Sequence, residues 1–385
     1  MVKIAVLKES ASHEYRVAVS PESIRKIKAL GLDVLVEAGA GTRANFTDEM
    51  FVKAGALIEN DVPKILSQAD FLFKVQSPYV SEAENIDHVK YLKPGTVLIG
   101  LLSPYTQRDM LRRYQEQKII SFALELVPRI TRAQTMDVLS SQANLAGYKA
   151  VLEATNLYAR SMPMMMTAAG TIAPAKVMIM GAGVAGLQAI ATARRLGAIV
   201  CATDVRPAAK EQVESLGASF IAVIDEEFKA AESAGGQGQQ KKGAYQKKKE
   251  RPIAGKSKKK EIVITTAQIP GKQAPRLITK AMVETMKPGS IIIDLAVEQG
   301  GNCELSRVGD VVEHQSVKIV GFPNMPSRLA EVASSQYANN LYQFFLLLFH
   351  KNDRRIQIPW DDDIVKSCAL TRDGHIIHPA FQVNT

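Results

Sequence analysis

Short apolar segments alternate with segments of helical period through the first third of the chain. Ser20 and Pro21 mark one helix start, because serine caps free amide groups and proline fits the first turn. Strands separated by helices favour parallel pairing and an α/β sandwich. The predicted strands are 3–7, 33–37, 71–75, 96–101 and 119–123, and the predicted helices are 21–30, 48–54 and 108–117.

A long helical pattern without an internal proline runs from Gln134 to Arg160, and a second alternating region follows it. Its predicted strands are 175–180, 199–203, 219–223, 261–265, 290–294 and 317–320. An amphipathic helix is predicted over 333–350, before a β-rich tail that we expect to pack on the first region. We therefore predict an α/β protein with two Rossmann-like, doubly wound parallel-sheet domains joined by a long helix. The first comprises 1–138 and 328–385, and the second comprises 139–327.

Composition and charge narrow the functional classes. The 385 residues are 46% apolar and 23% charged, which is ordinary for a globular protein with a core. Residues 241–261 carry +8 of the net charge of +9, because they hold ten basic and two acidic residues. The rest of the chain has 38 basic and 37 acidic residues. Such a run is most often a solvated surface, so we expect no nucleic-acid partner. We also expect a mobile loop around 225–260, which is rich in Gly, Gln and Lys.

Cysteine and histidine usage predicts neither a disulfide framework nor a metal site. The three cysteines are far apart, and the histidines are scattered. The apolar run 344–349 is far shorter than the roughly 20 residues of a membrane span. The N-terminus lacks the features of a signal peptide, so we expect a cytoplasmic protein.

One glycine-rich segment, Gly181-Ala-Gly-Val-Ala-Gly186, matches the G-x-G-x-x-G pattern of dinucleotide-binding loops. It follows a predicted strand and opens a predicted helix over 187–196. In such a loop the three glycines allow a tight turn, close approach of a pyrophosphate, and close packing of helix on strand. The helix N-terminus stabilises the phosphate charge. A glycine turn without a ligand is the alternative. The predicted binding residues are Gly181, Ala182, Gly183, Val184, Ala185 and Gly186.

An acidic residue, Asp204, ends the next predicted strand. A carboxylate at this place accepts hydrogen bonds from the ribose hydroxyls of an adenosine. It would repel a 2′-phosphate, which favours NAD(H) over NADP(H), although the nearby Arg206 leaves NADP(H) open.

A polar stretch over 128–141 carries side chains that suit a carboxamide. Arg129, Gln134, Asp137 and Ser140 offer donors and acceptors for hydrogen bonds to a planar group. Spacings of three place the last three on one helical face. Helix capping and a solvated face explain the same residues equally well.

Several long motifs resemble the NAD(H)-binding component, domain I, of proton-translocating NAD(P) transhydrogenases. The resemblance extends over nearly the whole chain, and the end before any membrane span is similar to the bacterial type with a separate soluble α subunit. The motifs are 3–9, 132–148, 163–171, 181–186, 203–206, 264–272, 294–302 and 371–374.

This resemblance implies direct hydride transfer between NAD(H) bound here and NADP(H) on a partner domain, coupled to proton translocation by a membrane partner. It implies a homodimer, peripheral on the cytoplasmic face of the inner membrane through its partner subunits and catalytic only together with them. Gln134 would reach toward the NADP(H). The implied nicotinamide residues are Arg129, Gln134, Asp137 and Ser140, and the implied dinucleotide residues outside the glycine segment are Asp204, Val205, Arg206, Gly236, Thr266 and Gln268.

The sequence departs from the family in the mobile loop. Gly236 and Gln237 stand where the family has a glycine and a tyrosine that closes over the nucleotide. Pro252 and Gly255 would break the helix that follows. Gln268 replaces the usual leucine. We expect altered loop closure over NAD(H) on an unaltered core.

Two alternatives remain. Alanine dehydrogenase is a related family with a similar Glu14-Tyr-Arg-Val-Ala18 segment. Its substrate-binding lysine falls at Gln76 and its catalytic histidine falls in 100–103, which holds no histidine. Reduction of a 2-oxo acid needs a general acid, which this stretch does not supply. The other alternative is a non-catalytic NAD-sensing or polyanion-binding module that uses the Lys-rich segment.

Overall fold

The structure is a computed structural model, which describes residues 2–81, 86–221 and 260–382. The expectations about Gly236, Gln237 and the loop around 225–260 lie outside these residues and stay predictions. The chain divides into two compact units, one comprising 1–142 and 326–385 and the other 143–325.

An eight-stranded sheet forms the first unit. Its neighbouring strands are parallel except at one edge, where Ala369–Arg372 runs antiparallel to Ile120–Ala123 and to His375–Ile376. The C-terminal segment therefore completes this sheet. The strand order is His375–Ile376, Ala369–Arg372, Ile120–Ala123, Val97–Leu101, Phe71–Gln76, Lys3–Val6, Asp33–Glu37 and Leu57–Glu59.

Apolar runs form the central strands because both faces of the sheet are covered. Along the first strand, Ile4 and Val6 enter one core cluster while Ala5 enters the cluster on the opposite face. This alternation follows from the two-residue period of a strand, and a parallel sheet buries both faces. Shorter paired strands are Val80–Ser81 with Ile86–Asp87 and Phe349–His350 with Arg355–Ile356.

Several helices of the first unit begin after a residue whose side chain caps them, namely Ser20, Thr47, Asp61 and Asp362. The amide of Ser23 donates to the Ser20 hydroxyl (3.2 Å), and the amide of Ser20 donates to the Ser23 hydroxyl (2.9 Å), which confirms the predicted start. The edge strand Leu57–Glu59 and the short helix after it escaped prediction because neither carries an apolar period long enough to detect. The helices are Pro21–Ala29, Asp48–Ala54, Val62–Gln68, Arg108–Glu116, Ala330–Leu348 and Asp363–Cys368.

A seven-stranded sheet forms the second unit, parallel except for the edge hairpin of Val311–His314 and Val317–Val320. The chain order reverses direction on either side of Lys176–Met180, which is the topological switch point where α/β sheets bind ligands. The strand order is Ser219–Phe220, Ile199–Thr203, Lys176–Met180, Ile262–Thr265, Ile291–Asp294, Val317–Val320 and Val311–His314. Besides most of the long helix Val138–Leu157, the described part of this unit contains the helices Val184–Arg195, Ala209–Ser215 and Lys280–Val283. A separate exposed hairpin pairs Met165–Thr167 with Gly170–Ile172. The expected α/β class with two parallel-dominated sheets is confirmed.

The long helix runs over Val138–Leu157, so the prediction that it starts at Gln134 is wrong. Residues Thr131–Met136 form a 3-10 helix, and Asp137 (φ −73°, ψ 86°) leaves the helical region between the two elements. The predicted single helical face for Gln134, Asp137 and Ser140 is therefore also wrong.

Two features are absent from the described residues. None of their helices is long and apolar enough to cross a membrane. Within the same part of the chain, no group of three or more His, Cys, Asp or Glu side chains is arranged to hold a metal ion.

Candidate functional site

The glycine loop, residues 181–186, follows the strand Lys176–Met180 at the switch point of the second sheet. Gly181 has φ +104°, a conformation that side chains rarely allow. A Cβ at Gly186 would lie 1.8 Å from the carbonyl oxygen of Gly181. The first glycine thus makes the turn, and the third lets the helix pack against it.

The middle glycine differs from the other two because it faces open space. Gly183 is the N-cap of helix Val184–Arg195, so this helix starts three residues before its predicted start at Leu187. Apart from its neighbours in the chain, no heavy atom of the described residues lies within 4 Å of a Cβ built there. The backbone at the helix N-terminus is therefore open to a phosphate, which its amides and dipole favour.

One further glycine, Gly147, contributes to the loop and has no role in the sequence-based site. A Cβ there would lie 2.0 Å from the carbonyl oxygen of Ala185, so the long helix passes directly against the loop. The available signal was a lone glycine in an otherwise uninterrupted helical pattern.

Asp204 follows the strand Ile199–Thr203 and contacts the glycine loop. Its Oδ2 accepts a hydrogen bond from the amide of Ala182 (2.7 Å). Arg206 donates to both carboxylate oxygens through Nε (3.0 Å) and Nη2 (3.1 Å), and its own amide donates at 2.8 Å. Burial favours the neutral acid, but these hydrogen bonds together hold the Asp204 pKa below its usual value. A charged carboxylate is thus held against the loop.

Arg206 and Val205 shape the surface next to this carboxylate. Arg206 also donates to the carbonyl of Ala182 (3.2 Å), and its pairing with Asp204 raises its pKa. Val205 is 66% exposed, and Val184 at the start of the helix is also exposed. Several of the residues predicted to bind the dinucleotide therefore lie together: Ala182, Val184, Asp204, Val205 and Arg206. Ala185 and Gly186 lie in the first turn of the adjoining helix.

The predicted Thr266 and Gln268 follow the neighbouring strand Ile262–Thr265. The Thr266 hydroxyl donates to the carbonyl of Gly181 (3.1 Å), so it supports the glycine turn. Exposed Gln268 donates to the carbonyl of Leu295 (2.7 Å), which joins the ends of two adjacent strands. Both lie at the same sheet edge as the loop.

Two buried polar residues organise this edge, and residue-by-residue sequence reasoning gave them no role. Asn302 donates to the carbonyls of Ala267 (2.9 Å) and Pro275 (2.8 Å) and accepts from the Ala267 amide (3.1 Å). Asp294 accepts from the Ser306 hydroxyl (2.6 Å) and from the Cys303 amide (2.9 Å). Asp294 stands at the end of a strand much as Asp204 does, which was the available signal.

In the first unit, the polar turn, residues 128–141, carries the other predicted residues. Arg129 and Gln134 are exposed, while Asp137 and Ser140 are half-buried. Asp137 caps the long helix, since it accepts from the amide (2.9 Å) and the hydroxyl (2.5 Å) of Ser140. Helix capping, the alternative role that the sequence offered, therefore applies to Asp137 and Ser140. Gln134 and Arg129 project from the turn.

The carboxyl edge of the first sheet holds a second group of polar residues, of which Glu9, Glu14 and Lys74 are buried and Gln76 and Glu125 half-buried. Glu9 pairs with Lys74 (3.0 Å), and Gln76 donates to Glu14 (3.0 Å). Burial raises the pKa of Glu125 to about 7, although it accepts from the amides of Leu102 and Ser103. This group includes Gln76, the position at which the alanine dehydrogenase alternative would require a substrate-binding lysine.

Two family models match the chain. The model described as alanine dehydrogenase/PNT, N-terminal domain, matches residues 5–146, and the model described as alanine dehydrogenase/PNT, C-terminal domain, matches residues 150–379.

Individual relatives are similar along nearly the whole chain. In Rhodospirillum rubrum, the protein named as the first part of NAD(P) transhydrogenase subunit alpha is 51% identical over 380 residues and 99% of each chain. A solved transhydrogenase from Sinorhizobium meliloti superposes with a TM-score of 0.86 at 47% identity, covering 97% of this chain and 100% of that one. An alanine dehydrogenase from Halomonas elongata is 28% identical over 98% of this chain and 95% of that protein.

Proposed function

The chain belongs to the alanine dehydrogenase/PNT family, and from that premise we propose that it is the NAD(H)-binding component of a proton-translocating NAD(P) transhydrogenase. Its likeness to named transhydrogenase subunits, at 51% identity against 28% for an alanine dehydrogenase, supports this choice of activity.

The observation that carries the proposal is the pairing of the glycine loop with Asp204. Gly183 leaves room for a pyrophosphate at the helix N-terminus, and the carboxylate of Asp204 is held against Ala182. These residues fit NAD(H), because a carboxylate accepts from two ribose hydroxyls and repels a 2′-phosphate. To admit a ribose, Arg206 has to release part of its hold on Asp204, while exposed Val184 and Val205 offer apolar contact.

The polar turn acts on the nicotinamide in this proposal. Arg129 and Gln134 are exposed and donate to the carboxamide, and Asp137 and Ser140 are already paired in a fixed geometry. When bound, NADH supplies a hydride from its C4–H bond to C4 of NADP⁺ on the partner, so no protein acid or base is required. The task of this chain is then to bind and orient, since near-attack geometry supplies most of the acceleration.

The partners follow from the same reaction. NADP(H) binds on another transhydrogenase subunit, and proton translocation takes place in that subunit's membrane domain. We further propose a homodimer, located on the cytoplasmic face of the inner membrane through those partners. Gly236, Thr266 and Gln268 remain proposed neighbours of the dinucleotide.

Amino-acid dehydrogenation is disfavoured by the residues at the first sheet's carboxyl edge. Gln76 stands where that reaction would use a lysine, and the stretch 100–103, where it would use a histidine, holds none. His88, also in this unit, has its pKa lowered to about 4 by burial and by Lys74, so it is neutral at pH 7. A neutral imidazole is a weak general acid.

The test is titration of the full chain with NADH and then NADPH, followed by the variant Asp204→Ala. We expect saturable NADH binding and NADPH binding at least about tenfold weaker. The variant should lose about 10- to 100-fold in NADH affinity, because hydrogen bonds to a charged group contribute roughly 1.5–3 kcal/mol. Glu211→Ala, an exposed carboxylate on the next helix, is the matched control.

Hydride transfer is then measured after adding membrane-bound NADP(H)-binding partner subunits. NADH-dependent reduction of an NADP⁺ analogue supports the proposal. Failure of the wild-type chain to bind NADH would contradict it, and NADH oxidation by pyruvate with ammonia would assign the chain to the amino-acid dehydrogenases instead.

A further inference from the structure

A buried amide lies on the C-terminal helix Ala330–Leu348 among apolar and aromatic side chains. Tyr337, Leu341 and Phe344 face the core of the first unit from the same helix. Asn340 is only 7% exposed. Because a buried amide costs free energy unless it is hydrogen-bonded, its partners indicate what it is there to hold.

Both the nitrogen and the oxygen of this side-chain amide form hydrogen bonds with the polar turn. Asn340 Nδ2 donates to the carbonyl of Thr135 (2.8 Å), and its Oδ1 accepts from the hydroxyl of Ser141 (2.7 Å). Thr135 lies between Gln134 and Asp137, and Ser141 follows Ser140. One side chain thus joins the 3-10 segment to the first turn of the long helix, across the break at Asp137.

The amide is also connected to a buried ion pair. Gln142 accepts from Arg16 Nη1 (2.8 Å) and donates to the carbonyl of Ala333 (3.1 Å), and a longer contact (3.4 Å) joins it to Ser141. Arg16 in turn pairs with Glu14 (2.6 Å), and both are almost fully buried. A connected network of this kind makes each member more rigid than an isolated hydrogen bond does.

We propose that Asn340 is a positioning residue for hydride transfer. It contacts no cofactor; it acts through Thr135 and Ser141 to fix Gln134, Asp137 and Ser140 relative to one another. This inference rests on the proposed function. A misplacement of about 1 Å costs on the order of 100-fold in rate, so a loosened turn slows transfer strongly. NADH affinity, which we assign to the glycine loop and Asp204, changes less.

The variants separate positioning from folding. Asn340→Leu removes both hydrogen bonds and keeps the branched shape of the side chain, with two methyl groups in place of the amide oxygen and nitrogen. The matched control is Asn339→Leu, one position away on the same helix, where the side chain is half-buried and accepts only a long contact from Lys26 Nζ (3.4 Å). The full chain is assayed with its membrane-bound NADP(H)-binding partners for kcat, KM for NADH, NADH affinity and melting temperature.

We expect Asn340→Leu to lower kcat by about 10- to 100-fold at saturating nucleotide. NADH affinity should stay within about threefold, and Asn339→Leu should leave kcat unchanged. A structural role alone predicts a lower melting temperature with an unchanged kcat per folded molecule.

A second variant, Asn340→Asp, gives a pH signature. When protonated, the carboxyl group donates to the Thr135 carbonyl and accepts from Ser141, as the amide does. When ionised, it sets an anion against that carbonyl. Burial raises a carboxyl pKa, so the kcat of this variant relative to wild type should rise as pH falls, while that of Asn340→Leu stays flat.

Three outcomes would overturn the inference: a kcat equal to wild type in both Asn340 variants, a kcat that falls only in proportion to NADH affinity or folded fraction, or a flat pH ratio for Asn340→Asp. Absence of hydride transfer in the reconstituted wild type is a different failure, because it removes the proposed function and this inference with it.

Discussion

The glycine loop and the polar turn are built in opposite ways. The glycine loop depends on the lack of a side chain at its glycines, since a Cβ at Gly186 would lie 1.8 Å from a backbone oxygen of the same loop. The polar turn depends on hydrogen bonds from side chains that are distant in sequence, since Asn340 holds Thr135 and Asp362 holds Arg132. One region is therefore sensitive to added volume, and the other is sensitive to lost hydrogen bonds.

The difference also sets how each region responds to its surroundings. Close packing against backbone changes little with pH or salt, whereas exposed ion pairs weaken as salt rises and buried carboxylates respond to pH.

The largest effect is expected from Gly186→Ala. In most helices this change stabilises, because alanine has the higher helix propensity. Here the added Cβ meets the Gly181 carbonyl, so we expect the free energy of unfolding to fall by about 3 kcal/mol, the upper end of overpacking costs. Urea denaturation measures this, and NADH binding should be lost with it.

Gly183→Ala is the matched change at the open glycine. Its φ of −76° suits alanine, and the described residues leave the position empty. Stability should stay within about 1 kcal/mol while NADH affinity falls at least about tenfold, because the methyl group stands in the path of the pyrophosphate. Unchanged NADH affinity would contradict the assignment of this loop to a phosphate.

A pH effect is expected at Glu125, which lies three residues before Pro128 at the entry to the polar turn. Burial raises its pKa to about 7 from 4.5. Between pH 4.5 and about 7 the Glu125 carboxyl is ionised in the unfolded chain but still protonated in the folded chain. The wild-type free energy of unfolding therefore falls as the pH rises through this range. At about 1.4 kcal/mol per pKa unit, the loss approaches about 3 kcal/mol by pH 8.

Glu125→Gln should remove that dependence. The measurement is the free energy of unfolding at pH 5 and pH 8 for both proteins, with Glu116→Gln as an exposed control on helix Arg108–Glu116. Equal pH slopes in wild type and Glu125→Gln would rule out Glu125 as the titrating group.

The smallest effect is expected at the exposed end of the polar turn. Arg132 Nη1 contacts Asp362 Oδ2 at 2.6 Å, but the arginine is 53% exposed. Asp362→Asn keeps a residue that can cap helix Asp363–Cys368 and removes only the charge. We expect under about 1 kcal/mol of destabilisation, smaller still at high salt, and less than threefold loss in hydride transfer.

Asp362→Asn and Asn340→Leu together compare an exposed ion pair with buried hydrogen bonds in the same turn. If Asp362→Asn slowed transfer as much as Asn340→Leu, the buried hydrogen bonds would not be what orients the turn. Rates at low and high salt distinguish the two cases.

The sequence predicts most of the residues that the second sheet brings together around the glycine loop, because the signals for them are local. The strand before Gly181, the glycine spacing and the acid at the end of the next strand all lie within about 30 residues. The structure brings Ala182 and Asp204 into direct contact. The same reasoning gave no role to Asn302 and Gly147, whose partners belong to other elements.

The polar turn was harder to predict for a physical reason. A spacing of three between Gln134, Asp137 and Ser140 fits a helix, but the Asp137 side chain caps the amide of Ser140 and ends the helical backbone before it. Periodicity describes side-chain direction on a regular element, and it carries no information on where that element breaks.

The sequence by itself determined the α/β class, most of the central strands and the glycine loop, because alternating burial and glycine conformations are properties of a few consecutive residues. Only the tertiary structure decided which side chains hold the polar turn. A hydrogen bond between Asn340 and Thr135 joins residues 205 positions apart. Such a contact exists only once the C-terminal helix has packed on the first sheet, and it leaves no trace in local hydrophobic pattern.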